Sequence, residues 1–231
     1  MSALITQAAL NGARRPDEHP ALPLTPEQLA ADARATVAEG ARSLHLHPRD
    51  GSGAESLADE HVAAALLAVR EAAPGVEVSL STGLWIAGDR RLELIAAWTE
   101  LPDLVSINLS EPGWEELAAL VTERGIAIEA GLATTADAET LVASGLRPAR
   151  VLVEIDDEAI EGPAAVAAAA AIDAVLADHS APRLHHGMGP ATWAVIAAAS
   201  GHDTRIGLED VLTLPGGEPA PGNAALVAAA R

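Results

Sequence analysis

The chain contains no cysteine and no lysine, and each absence removes a class of chemistry. Without cysteine there are no disulfides, thiolate nucleophiles or thiolate metal ligands. Without lysine there is neither a Schiff-base aldolase nor a Walker-type phosphate lysine, and all 14 basic residues are arginine. Phe and Tyr are also absent, so a core must be packed from Leu, Val, Ile, Ala and four Trp. The alanine run near 164–171 is too short, and too closely bounded by Glu161 and Asp173, to span a membrane. No basic region precedes an apolar stretch at the N-terminus, so no signal peptide is expected and the expected location is cytoplasmic. Against 14 basic residues stand 33 acidic ones, a formal charge of −19. Such a surface repels nucleic acid and anionic membranes, so neither is an expected partner. An anionic ligand would need a few placed arginines, backbone N–H groups or a metal.

What is present is an alternation of strand and helix patterns through 231 residues, with no linker to divide it. The apolar stretch Ala3–Leu10 reads as strand one, and Thr25-Pro26-Glu27-Gln28 as a helix start with a capping box and proline at the first position. That helix runs to about Glu39. Strands follow at Ser43–His47, Glu77–Ser81, Leu104–Leu109, Ala127–Glu129, Arg150–Ile155, Arg183–His186 and Thr204–Leu208. Helices are expected between them at Asp59–Ala72, Arg90–Trp98, Gly113–Arg124, Thr135–Ala143, Pro163–Leu176 and Pro190–Ala199. Eight strands and seven helices predict one α/β domain over 1–231, a (β/α)₈ TIM barrel with a loose tail after about 210. An open doubly wound sheet is the alternative. It would gather functional residues at one crossover. Here polar residues collect at many strand ends, including His45, Ser81, Ser106, Asn108, Glu129, His185 and Arg205.

The densest of these ends is Ser43-Leu44-His45-Leu46-His47-Pro48-Arg49-Asp50. Side chains two apart on a strand share a face, so His45 and His47 stand together while Leu44 and Leu46 pack on the other side. Two imidazoles are half of a Zn²⁺ or other divalent first-row metal site, and a catalytic site needs a third ligand with one position open. Arg205-Ile206-Gly207-Leu208-Glu209-Asp210 offers Glu209 from strand eight, one strand away from strand two in a closed barrel. By the same period Arg205, Gly207 and Glu209 share a face, with Gly207 leaving space at the mouth. Asp210 would pair with Arg205 or act as a base. Hydrogen-bonded rim histidines are the competing reading. Arg49 and Asp50 fit either support of the metal histidines or a structural ion pair. Ser81-Thr82-Gly83 suits an oxyanion contact, or hydroxyls that cap the next segment. Of His185 and His186, period counting favours His185 pointing inward, as a further ligand, a phosphate contact or a rim histidine.

These stretches resemble the β-keto acid cleavage enzyme family from Ile5 to Asp210. The resemblance rests on Asn11-Gly12-Ala13, Leu22-Pro23-Leu24-Thr25-Pro26-Glu27, Gly40 through Asp50, Ser81-Thr82-Gly83, Ser106-Ile107-Asn108-Leu109, Glu129 and Arg205 through Asp210. It implies a (β/α)₈ barrel with Zn²⁺ on His45, His47 and Glu209. The implied reaction uses acetyl-CoA to cleave a β-keto acid, releasing acetoacetate and leaving an acyl-CoA, which is an acyl transfer. Arg205 and Asp210 resemble the family's catalytic dyad, Ser81 a substrate-contacting hydroxyl, and Glu129 an acidic group beside the metal. Arg14, Thr82, Ser106, Asn108 and His185 are the further expected substrate contacts.

The departures from the family are specific. Where members commonly carry a glutamate that meets the substrate's amino group, this chain has Arg14, so a neutral or anionic keto acid is expected. Val211 replaces the usual asparagine after Glu-Asp, and the loops after strands three, four and six, which help cover CoA, are short. Assembly into a homo-oligomer is expected of such a barrel. Two other functions compete: an amidohydrolase-type metal hydrolase, and a non-catalytic homologue that binds a metal or small acid. The first wants its His-x-His on strand one and more histidines on later strands, whereas here the pair is on strand two and strands five and six contribute no histidine.

Overall fold

Alternating side chains sort the strands into an apolar outer face and a polar inner one, and this sorting builds the architecture. The computed structural model describes residues 6–157 and 159–231, so the first three residues of the expected Ala3–Leu10 strand lie outside the described residues. Strands β1 (Thr6–Ala9), β2 (Ser43–Leu46), β3 (Glu77–Ser81), β4 (Leu104–Asn108), β5 (Ala127–Leu132), β6 (Arg150–Ile155), β7 (Arg183–Gly187) and β8 (Asp203–Ile206) pair in order, all parallel, and β8 closes on β1. The fold is a closed (β/α)₈ barrel. Leu44, Leu46, Val78, Leu80, Val105, Ile107 and Val153 turn outward and join Leu29, Val62, Leu66 and Val69 of the helices in one apolar core.

The barrel interior is charged where many barrels are aliphatic. Glu129 is fully buried and accepts from Gln7 Nε2 at 2.8 Å, from Arg150 Nε at 2.6 Å and from the Ser79 hydroxyl. Burial alone would raise the Glu129 carboxyl, but Arg150, His45 and Ser79 together outweigh it and hold the group below the ordinary range. Paired this way, the charge is tolerable in a dry interior.

The capping box at Thr25 starts α1 (Pro26–Ala38), and α2 (Asp59–Ala72) follows β2. Next come α3 (Leu84–Ala87) and a 3₁₀ turn (Gly88–Arg90), with Gly88 at φ +53°, and they precede the helix expected over Arg90–Trp98, which is shortened to α4 (Arg91–Ala96). The remaining helices are α5 (Trp114–Glu123), α6 (Thr135–Ser144), α7 (Gly162–Val175) and α8 (Ala191–Ala198), and a further helix follows them. Strand β5 runs past the expected Glu129 to Leu132 because Gly131 keeps its place in the ladder. A Cβ there would lie 2.5 Å from Asn108 Oδ1.

Two expectations about the end of the chain are corrected. Strand eight stops at Ile206, and Gly207 opens a turn in which its carbonyl accepts from Asp210 N at 3.0 Å and Val211 N at 2.9 Å. The glycine does not clear the barrel mouth. It lets two backbones touch, since a Cβ at Gly207 would sit 1.8 Å from the Ala9 carbonyl oxygen of β1. Nor is the segment after Asp210 a loose tail. It forms α9 (Asn223–Ala229), with Leu226 and Val227 buried. Asn223 accepts from Leu208 N at 2.6 Å and donates to Leu10 O at 2.8 Å and Asp32 Oδ2 at 2.5 Å. One amide thus joins α9, α1, the end of β1 and the turn after β8.

Gly207→Ala is expected to lose about 3 kcal/mol or more of unfolding free energy in urea titration, because overpacking against backbone cannot relax by rotamer change. An unchanged midpoint would contradict the close approach. Burial lifts the Asp32 carboxyl from 3.8 to about 6, against the pull of Asn223. Between those values the folded chain binds the extra proton, so this group lowers stability as pH rises from about 4 to about 6. Asp32→Asn removes that slope. Relative to the variant, the wild type should lose about 1 kcal/mol across the window, allowing for the partial exposure of Asp32.

Candidate metal centre

His45 is the next-to-last residue of β2 and His47 directly follows the strand, both nearly fully buried. The turn after β8 carries Glu209 over β1 to meet them, and Glu209 N donates to Ala9 O at 3.3 Å. Gly12, at φ +53°, makes room for it, since a Cβ at Gly12 would lie 2.3 Å from Glu209 Cγ. His45 Nε2 and His47 Nε2 are 3.3 Å apart, and Glu209 Oε1 lies 3.8 Å from the first and 3.6 Å from the second. Ligands about 2.0–2.1 Å from one tetrahedral ion stand about 3.3 Å from each other, so the triangle is close to the size a divalent metal requires.

Each ring is oriented by what holds its other nitrogen. Ser79 gives its single hydroxyl proton to Glu129, so at 3.2 Å it can only accept from His45 Nδ1–H. His47 Nδ1 donates to Glu55 Oε1 at 2.5 Å. With both Nδ1 positions protonated, both Nε2 lone pairs face Glu209. Carboxylate-backed imidazoles of this kind are how proteins prepare histidines for metal. The Glu209 Oε2 atom is buried with no hydrogen-bond partner, which also fits a cation at this point.

The charges agree. Burial pushes His45 down to about 4 despite Glu209, keeping it neutral. His47 is also pushed down by burial, but Glu209 and Glu55 outweigh this and raise it. A proton is drawn to the place where a metal ion would sit. Burial would raise Glu209, yet Arg205 and the two histidines hold it well below the carboxylate range. Arg205 donates to Glu209 Oε1 at 2.5 Å and to Asp210 Oδ1 at 2.8 Å, so one cation serves two carboxylates. Burial opposes its charge, but Asp210 and Glu209 raise its pKa further.

These groups open into a cavity of about 320 Å³ at the carboxyl-terminal mouth of the barrel, within the range of small-ligand sites. Arg14, Ser81, Ser106, Asn108 and Arg205 lie on its wall with the His-His-Glu group. Asp210 lies behind Arg205, wholly buried, with both oxygens taken by the guanidinium. Glu129 sits one layer below, connected to His45 only through Ser79. Thr82 faces away from the wall and donates to Ser106 O at 2.6 Å. His185 is placed elsewhere. It is His186 that points into the barrel, 3.6 Å from Asp210, while His185 faces outward against Asp173 of α7. Leu184 opposite Leu152 and His186 opposite Glu154 set that parity.

Arg49 does not pair with Asp50. It donates to the carbonyls of Gly12, Arg14 (3.0 Å) and Gly53 (3.1 Å), locking the β1–α1 loop beside the site. Asn11 clamps His47, accepting from its N–H and donating to its carbonyl, both at 2.9 Å. Glu55, which holds His47 Nδ1, is a candidate site residue that the strand patterns do not reveal. Asp50 Oδ1 accepts from Ser52 N and Ala54 N, turning the loop so that Glu55 bridges back to Arg49 beside His47. The turn-forming Asp50-Gly51-Ser52-Gly53 is the signal that would have found it. Trp85, more than half exposed, stacks over His47 and donates from Nε1 to Glu55 Oε2 at 3.1 Å.

Fold and site together define a parallel (β/α)₈ barrel with a group suited to a divalent metal at its carboxyl-terminal mouth. The sequence matches the beta-keto acid cleavage enzyme family over residues 3–231, and the chain belongs to that family. Among curated relatives it is similar to two 3-keto-5-aminohexanoate cleavage enzymes. One, from Fusobacterium nucleatum subsp. nucleatum, is 38% identical over 84 residues, or 36% of this chain and 31% of that protein. The other, from Acetoanaerobium sticklandii, is 31% identical over 107 residues, or 45% of this chain and 39% of that protein. The matched stretches thus span well under half of either relative. In structure the barrel is similar to apo ObcA, with a TM-score of 0.72 at 19% identity over 90% of this chain and 61% of that one. No helix among the described residues is long and apolar enough to cross a membrane.

Glu55→Gln is expected to weaken divalent-metal binding by about 10–100-fold in competition with a chromophoric chelator. Affinity equal to wild type would show that Glu55 does not support His47.

Proposed function

We propose that this chain is a metal-dependent β-keto acid cleavage enzyme that exchanges a β-keto acid with acetyl-CoA to give acetoacetate and an acyl-CoA. The observation that carries the reading is the convergence of His45, His47 and Glu209 beside Arg205 on a small polar cavity. In this proposal the metal is Zn²⁺, and when bound it polarises the substrate's keto group and steadies enolate charge. The protein supplies the rest. Arg205, held by Asp210 and Glu209, presents a fixed guanidinium to the substrate's carboxylate, and Asp210 acts through it as the other half of a dyad. Ser81 and Asn108 offer hydrogen bonds from the opposite wall, Ser106 and Thr82 shape that wall, and Trp85 shields one side from water. Glu129 acts from below, by fixing the His45 tautomer through Ser79.

Support for a CoA co-substrate comes from the family and from ObcA, solved with a C4-CoA adduct and oxalate and, separately, with oxaloacetate. The side chain of the keto acid is a finer matter. Arg14 is engaged by Glu18 at 3.3 Å, and Glu18, Glu154 and Asp156 share its cavity wall. That wall offers no net positive charge to an anionic tail, so within the neutral or anionic class we propose a neutral one. Assembly as a homo-oligomer belongs to the same proposal.

The test is a panel of neutral, anionic and amino-substituted β-keto acids with acetyl-CoA, following acetoacetate release by wild type and His47→Ala. Wild type should turn over a neutral member, and the variant should lose the metal at the barrel mouth and at least about 100-fold in rate. Turnover retained without metal would overturn the reading. Product formation without acetyl-CoA would mark a hydrolase, and metal binding without turnover a binding protein.

A further inference from the structure

A second group of metal-binding type lies on the outside of the barrel, away from the cavity. Asp173 comes from α7, His185 from β7 and His202 from the turn between α8 and β8, and their ligand atoms lie within 4.8 Å of one another. His185 is 4% exposed, and its Nε2 atom has no hydrogen-bond partner. Nevertheless Asp173 Oδ2 is only 3.4 Å from that nitrogen, near the ~3.3 Å separation of two ligands on one tetrahedral ion. The other carboxylate oxygen, Asp173 Oδ1, accepts from Arg183 Nη1 at 3.2 Å, which fixes the carboxylate with Oδ2 toward the imidazole. A buried polar nitrogen left unbonded beside an oriented acceptor is costly unless something completes it.

We propose that Asp173, His185 and His202 hold a second divalent transition-metal ion, Zn²⁺ by ligand type, that staples α7, β7 and the α8–β8 turn together. Two imidazoles and a carboxylate are a common zinc donor set, with a fourth position open to water on the side where Asp173 and His202 are partly exposed. The His185 and His202 rings now stack at 4.7 Å and within 6° of parallel. One ion cannot lie in both of those planes, so binding must turn His202 out of the stack. Its position permits this, because it follows Gly201, at φ +86°, in a short turn on the surface. The role is structural: no atom of the group reaches the cavity, and an ion that binds only the folded chain stabilises it.

Metal content after zinc loading and gel filtration, with thermal melting, tests this independently of the rim site. Wild type should hold two equivalents. His47→Ala and His202→Ala should each hold one, and the double variant none. Added Zn²⁺ should raise the melting temperature of His47→Ala but not of the double variant. One equivalent in wild type with none in His47→Ala would overturn the second site. So would a His202→Ala protein that still holds two equivalents or a double variant that zinc still stabilises.

Discussion

The structure depends on one electrostatic arrangement: two buried imidazoles made to present lone pairs to the same point as a buried carboxylate. Left alone, such rings would turn to satisfy whichever neighbour was nearest. Here each Nδ1 is committed, His45 to Ser79 and His47 to Glu55, so each Nε2 faces Glu209. The commitment of Ser79 depends in turn on Glu129, which Arg150, His45 and Ser79 itself hold below the ordinary carboxylate range against burial. The charged layer inside the barrel therefore belongs to the mouth above it. From two residues behind the cavity wall, Glu129 sets the proton position on His45.

The carboxylate reaches the rings by backbone contact. Strand β8 meets β1 so closely at Gly207 that a side chain would strike the Ala9 carbonyl, and Glu209 passes over Gly12, where a Cβ would occupy its path. Asn11, Asn223 and Arg49 then fix the segments around this crossing by donating to main-chain carbonyls. The Asn-Gly pair near the start of the chain and the Gly before Leu-Glu-Asp near the end are thus two parts of one junction, about 195 residues apart in sequence and in contact in space. Helix α9 braces that junction through Asn223.

Where structure follows local period, it was legible from the residues. The order of strands, the capping box at Thr25 and the shared face of His45 and His47 all depend on neighbours within a few positions. What was not legible depends on distant partners. Glu209 was expected through strand alternation, but it arrives by a turn opened at Gly207. His185 was expected inward, yet with histidine at both parities only the pairing of β7 with β6 decides, and it selects His186. The last helix is short and alanine-rich and follows a Pro-Gly segment, and it is secured by tertiary bonds from Asn223. Glu55 lies in a loop and meets His47 only because Asp50 folds that loop back.

The most direct test of this account is anomalous diffraction at the zinc edge from crystals of metal-replete protein. The account predicts a peak at the barrel mouth about 2.0–2.1 Å from both His45 Nε2 and His47 Nε2 and within bonding distance of a Glu209 oxygen. A rim without an anomalous peak, with Glu209 bound only to Arg205 and the two imidazoles hydrogen-bonded to each other, would contradict it.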